Sequence, residues 1–265
     1  MPVVSAVSYL NTTPLIWGFE KTDLGRQIRL EYDLPAVCAD RVRDGLSDIG
    51  ILPVIEIERQ GLEWLPGTGI ACRGAVRSIL LISKKPLGQV QSLALDSGSR
   101  TSVMLARILL AERYGSAPSC HNMPADLPTM LAAADAALVI GDPALRLDPE
   151  SLRRQYEVLD LGEEWARYTG LPMIFALWAG KSDHLRAGMQ ELFAASCRYG
   201  LEHIDDIVAS EAPARGIPLE LARKYLSRHI VSELVERDYQ GMREYLRLAR
   251  ELDTLKVAVS QGNSV

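Results

Sequence analysis

The chain has 265 residues, 48% of them hydrophobic, which is enough for one large domain or two modest lobes. Its 34 acidic and 29 basic side chains leave a net charge of -5, and no Lys/Arg-rich run marks a nucleic-acid footprint. No apolar run approaches membrane-spanning length, and MPVVSAV lacks the basic start and long apolar stretch of a secretory leader, so a cytoplasmic protein without a membrane partner is expected.

The first half alternates short apolar runs with helical patterns, which predicts α/β architecture with largely parallel strands. VVSAV reads as the first strand. Pro14 then opens a helix through Phe19, with Thr13 placed as its N-cap. Arg29 to Tyr32 reads as a strand, about Pro35 to Asp44 as a helix, and IGIL, Ile49 to Leu52, as a buried strand. AVRSILLIS, Ala75 to Ser83, leaves this unit as a longer strand. The scheme then restarts with SLALD, a small polar loop and a helix stopped by Gly115. A helix near Leu127 to Ala134 precedes the strand AALVI, Ala136 to Ile140, which ends at Gly141, Asp142 and Pro143. Pro172 introduces the strand Met173 to Ala179, and from about Ser182 the periodicity is helical, ending in a frayed SQGNSV.

AVRSILLIS and PMIFALW are expected to be the two crossings between lobes, with residues 1-82 and 173-265 in lobe 1 and 83-172 in lobe 2. The polar loops at the carboxyl ends of the strands would then face a central cleft, where α/β folds bind ligands.

Several cleft candidates follow from residue chemistry. Asn11, in VSYLNTTPL, offers one acceptor and two donor hydrogens without charge, with a turn residue or helix cap as its competing reading; Ser8 and Thr12 are further candidates or turn hydroxyls. In DSGSRTS, Ser99, Thr101 and Ser102 stand at a helix start whose free N–H groups suit a carboxylate, with Arg100 as a further positive charge. Ordinary helix capping is the competing reading of that loop. Ser78 and Arg77 lie on a crossing strand. Asp142 is a helix cap or a ligand contact, and Thr169, in TGLP, is placed to reach the ligand. The Glu163–Glu164 pair reads as a charged helix start. Cys38, Cys72, Cys120 and Cys197 are scattered, as are His121, His184, His203 and His229, so neither a disulfide framework nor a metal centre is expected.

Taken together, VSYLNTTPL, SDIGILPVIEIER, VRSILLIS, DSGSRTSVMLARILL, DAALVIGDPAL and DLGEEWARYTGLPMIFALWAGK resemble, in order and spacing, the chorismate dehydratase family of the futalosine route to menaquinone. The resemblance runs from about Val3 to Lys181. It implies a two-lobed periplasmic-binding-protein type II fold with a helical C-terminal segment, working as a cytoplasmic lyase. The implied reaction converts chorismate to 3-[(1-carboxyvinyl)oxy]benzoate with loss of water and without a cofactor. The resemblance points to Asn11 as catalytic, and to Ser78, the Ser99 to Ser102 loop and the Gly141–Asp142 turn as substrate-binding. A sister family, the 1,4-dihydroxy-6-naphthoate synthases, typically carries a His-Glu pair where Gly141 and Asp142 stand here, which favours the dehydratase. That synthase and a non-catalytic solute-binding module of the same fold are the alternatives.

Overall fold

A computed structural model describes residues 1–96 and 98–262, with side chains up to Thr254. Along the chain, β1 (Val3–Val7), β2 (Arg29–Asp33), β3 (Ile49–Pro53) and β4 (Glu63–Cys72) come first. Next are β5 (Ile79–Ser83), β6 (Ser92–Asp96), β7 (Ser119–Met123), β8 (Ala136–Ile140) and β9 (Glu157–Asp160). β10 (Met173–Gly180) and β11 (Val231–Glu233) complete the strands of the described residues.

These strands form a six-stranded sheet, ordered β11-β4-β10-β3-β1-β2, and a five-stranded sheet, ordered β7-β6-β8-β5-β9. The duplicated scheme expected from the sequence is visible in the pairing. In one lobe β1 lies between β2 and β3, parallel to both; in the other β6 lies between β7 and β8, again parallel to both. Beside β3 and β8 runs an antiparallel strand, β10 or β5, each arriving from the opposite lobe. The parallel strands of both lobes therefore direct their carboxyl ends towards one cleft.

The crossings lie elsewhere than expected. β5 pairs with β8 and β9, so residues 79–83 belong to the second sheet, and the chain leaves lobe 1 before residue 82, over residues 73–78. AVRSILLIS is not one strand because Arg77 adopts φ +67, a left-handed backbone uncommon for a side-chain-bearing residue. The Asp160 carboxylate holds this bend by accepting the N–H groups of Val76 (2.9 Å) and Arg77 (2.6 Å). The Arg77 guanidinium donates to the carbonyls of Ala144 and Leu147. β10 lies wholly within the first sheet, so PMIFALW is likewise not a crossing; the return falls just before it, after the helix Leu161–Thr169.

Thr13 is not a cap: the helix it belongs to spans Thr13–Lys21, and Thr13 is buried in the first turn. This helix packs tightly on Met189–Glu202. A Cβ on Gly18 would lie 2.6 Å from the Ser196 Cα, while Ser196 Oγ accepts from Phe19 N–H and donates to the Leu15 carbonyl. The C-terminal helix Glu236–Gly262 extends through the first part of the expected frayed end; residues 263–265 lie outside the described residues. It also reaches lobe 2, where the Tyr245 hydroxyl donates to the Thr101 carbonyl at 3.0 Å.

Cys38, Cys72 and Cys197 are buried, and burial pushes each thiol up to about 12; Cys120 is exposed. Among the described residues, no helix is long and apolar enough to cross a membrane, and no cluster of His, Cys, Asp and Glu could hold a metal.

Candidate active site

A cavity opens between the lobes at the carboxyl ends of the strands. Val7, Tyr9 and Asn11 enter it from the end of β1, Pro53 from the end of β3, and Val76 and Ser78 from the first crossing. The second lobe adds Ser99 to Ser102, and Ile140 and Gly141 from the end of β8; Ile70, Phe175 and Ala176 form the apolar floor.

Asn11 sits in a short 3-10 turn, Leu10–Thr12, whose first N–H is accepted by Asp142 Oδ1 at 3.0 Å. Asp142 thus ties the second lobe to the turn that presents Asn11. Its other oxygen accepts from Arg215 at 2.8 Å, and Arg215 also donates to Glu211 and the Ser8 carbonyl. Asp142 is neither a helix cap nor part of the cavity wall: Ile140 holds the cap position of Gly141–Leu145. The carboxylate points across the cleft mouth because Gly141 turns the chain with φ +63. A Cβ on Gly141 would lie 2.6 Å from Tyr9 Cε2, so only glycine admits the Tyr9 ring here. The Gly141 N–H donates to the Ser78 carbonyl at 2.8 Å, locking this turn to the crossing.

Two expected contacts do not reach the cavity. Ser8 is exposed because side chains alternate along an extended segment: Val7 and Tyr9 face the cleft, so Ser8 faces away. Thr169 ends its helix, donating to the Trp165 carbonyl at 2.9 Å and accepting from Leu171 N–H at 3.1 Å. The Glu163–Glu164 pair is structural: Glu164 is buried against Arg113 and accepts from the Tyr114 hydroxyl.

The loop at Ser99 to Ser102 is placed at the cavity. Its helix, Thr101–Tyr114, starts with no side-chain cap, and Thr101 Oγ1 is buried without a hydrogen-bond partner among the described residues. The unpaired N–H groups of such a helix start suit an anionic oxygen. Arg100 contributes the cation on the cavity wall, but its guanidinium spans to lobe 1, donating to Asp40 (2.8 and 2.9 Å) and Glu56 (2.7 Å). It clasps the lobes together.

Tyr9, Tyr225 and Asp96 escape a sequence reading. Burial, then the charges of Asp96 and Asp142, raise the Tyr9 phenol well above its ordinary value, so it stays protonated at neutral pH. Burial also raises the Asp96 carboxyl, against the N–H groups of Gly98 and Ile140 that it accepts. Tyr225 lies behind the wall and donates to Ser78 Oγ at 2.8 Å. Among the described residues that line the cavity, none carries a carboxylate, imidazole, thiol or amine.

Comparison with known proteins agrees with this architecture. A protein from Archaeoglobus fulgidus superposes with a TM-score of 0.76 at 15% identity, covering 96% of this chain and 98% of that one. The periplasmic aliphatic sulphonate binding protein of Escherichia coli gives a TM-score of 0.67 at 12% identity, covering 97% and 87%. At such identities the likeness shows the fold alone, that of the periplasmic binding proteins. In sequence, the chain is 32% identical over 183 residues to a chorismate dehydratase of Thermus thermophilus, a match over 63% of this chain and 66% of that relative's length. Residues 2–251 match the menaquinone biosynthesis family, and the chain belongs to it.

Proposed function

We propose that the chain is a chorismate dehydratase, a carbon–oxygen lyase that removes the C3 hydrogen and C4 hydroxyl of chorismate as water to give 3-[(1-carboxyvinyl)oxy]benzoate. The observation that carries this reading is the cavity wall itself: among the described residues it offers uncharged donors, the Arg100 cation and a helix start, yet no carboxylate, imidazole, thiol or amine. Chorismate carries two carboxylates. One suits the helix start at Thr101 and Ser102, where the N–H groups and dipole stabilise an anion by about 0.3–1 kcal/mol, more when partly buried. The other, on the enolpyruvyl side chain, lies close to C3 and takes its proton.

Asn11 and Ser78 hold that side chain and the departing hydroxyl, fixing the reacting atoms at attack distance. The electron pair of the C3–H bond becomes ring π density as the C4–O bond breaks, and the proton leaves with the hydroxyl as water. Aromatisation drives the step. The reaction is redox-neutral, so no redox cofactor is required. We place it in the cytoplasm, in the futalosine route to menaquinone.

Incubating the purified chain with chorismate alone and following products by mass spectrometry tests this. A product lighter by one water supports the reading. Chorismate recovered unchanged from a tight complex would instead identify a solute-binding module.

A further inference from the structure

Tyr225 is fully buried and opens a π-helical turn, Tyr225–His229, a geometry often found beside functional sites. The turn brackets the first crossing. At one end the Tyr225 hydroxyl donates to Ser78 Oγ at 2.8 Å; at the other, His229 Nδ1 lies 2.9 Å from the Ala75 carbonyl. A phenol has one proton, and here Ser78 accepts it. Burial, the largest effect, keeps the phenol protonated far above neutral pH.

From these contacts we infer that Tyr225 is a positioning residue, which sets the direction in which Ser78 presents its hydrogen to the substrate. Ser78 Oγ is oriented by accepting from Tyr225, and its own hydrogen is left to point into the cavity it lines. Such a chain polarises in one sense, each donor strengthening the next. Tyr225 itself does not line the cavity and acts only through Ser78. The role rests on the dehydratase reading above.

Steady-state kinetics with chorismate for the wild type, Tyr225→Phe, Ser78→Ala and the double variant test it. Tyr225→Phe deletes one oxygen and should lower kcat by ~10-fold, the equivalent of one hydrogen bond, with KM within about twofold. The double variant should lose less than the product of the two single losses, since the two side chains act as one unit. Incorporating 3-fluorotyrosine at position 225 keeps the hydroxyl and the packing while changing its donor strength. Its effect on kcat should shrink in the Ser78→Ala background, which serves if Tyr225→Phe folds poorly. Full turnover by Tyr225→Phe, or multiplicative losses in the double variant or with fluorotyrosine, would overturn the role alone. No turnover by the wild type would overturn the dehydratase reading, and this role with it.

Discussion

Asn11 and Asp142 adjoin in the fold but have separable tasks, and substitution can part them. Asn11 lines the cavity, whereas Asp142 accepts the Leu10 N–H and pairs with Arg215 outside it. Asn11→Ala should lower turnover by about 100-fold or more, the scale of a lost positioning contact, with little change in melting temperature. Near wild-type turnover would remove Asn11 from the mechanism. Asp142→Asn keeps an oxygen for the Leu10 N–H and loses only the ion pair, so its turnover should stay within about tenfold of wild type, the effect of roughly 1.4 kcal/mol. Abolished turnover in that variant would instead make Asp142 the essential acid. Gly141→Ala forces a Cβ against the Tyr9 ring at φ +63, and should cost about 1–3 kcal/mol of stability together with activity. Chemical denaturation alongside chorismate kinetics measures both. The place of Asn11 at the cavity was legible from its position between a strand end and a proline-led helix, although the same position also suits a turn residue or helix cap. Tyr9 and Tyr225 were not, because an aromatic side chain in an apolar pattern reads as core until the fold shows what its hydroxyl meets.

At the scale of elements, the strands with apolar runs and the polar β2 were legible, whereas β7 and β4 were not. β7, SCHNM, is an edge strand of polar side chains, and β4 carries Pro66, Gly67 and Gly69, which read as breakers. The crossing at 73–78 was misplaced because its bend depends on Asp160, a residue far along the chain that supplies two N–H acceptors no local pattern announces. Asp135 makes a comparable tie in lobe 2. It pairs with Lys85 at 2.8 Å and accepts the N–H groups of Gln91 and Ser92, joining β8 to the start of β6. Lys85, then the Gln91 N–H, lower its carboxyl from the ordinary 3.8 to about 2. A depressed carboxyl contributes stability that is present above about pH 4 and lost as pH falls towards 2. Asp135→Asn should therefore flatten the fall of stability across that window relative to wild type. An unchanged acid profile in denaturant titrations would show that the tie adds nothing.

Across the whole molecule, charged side chains bridge the cleft: Arg100 reaches from lobe 2 to Asp40 and Glu56, and Asp142 reaches to Leu10 and Arg215. Among the described residues lining the cavity between them none carries a carboxylate, imidazole, thiol or amine, and the proposed reaction therefore takes its proton acceptor from the substrate. The most direct test compares chorismate with its analogue bearing a carboxamide in place of the enolpyruvyl carboxylate, each at saturating concentration with the purified chain. The account predicts that chorismate loses water while the bound carboxamide does not. Dehydration of both at similar rates would place the base on the protein and contradict it.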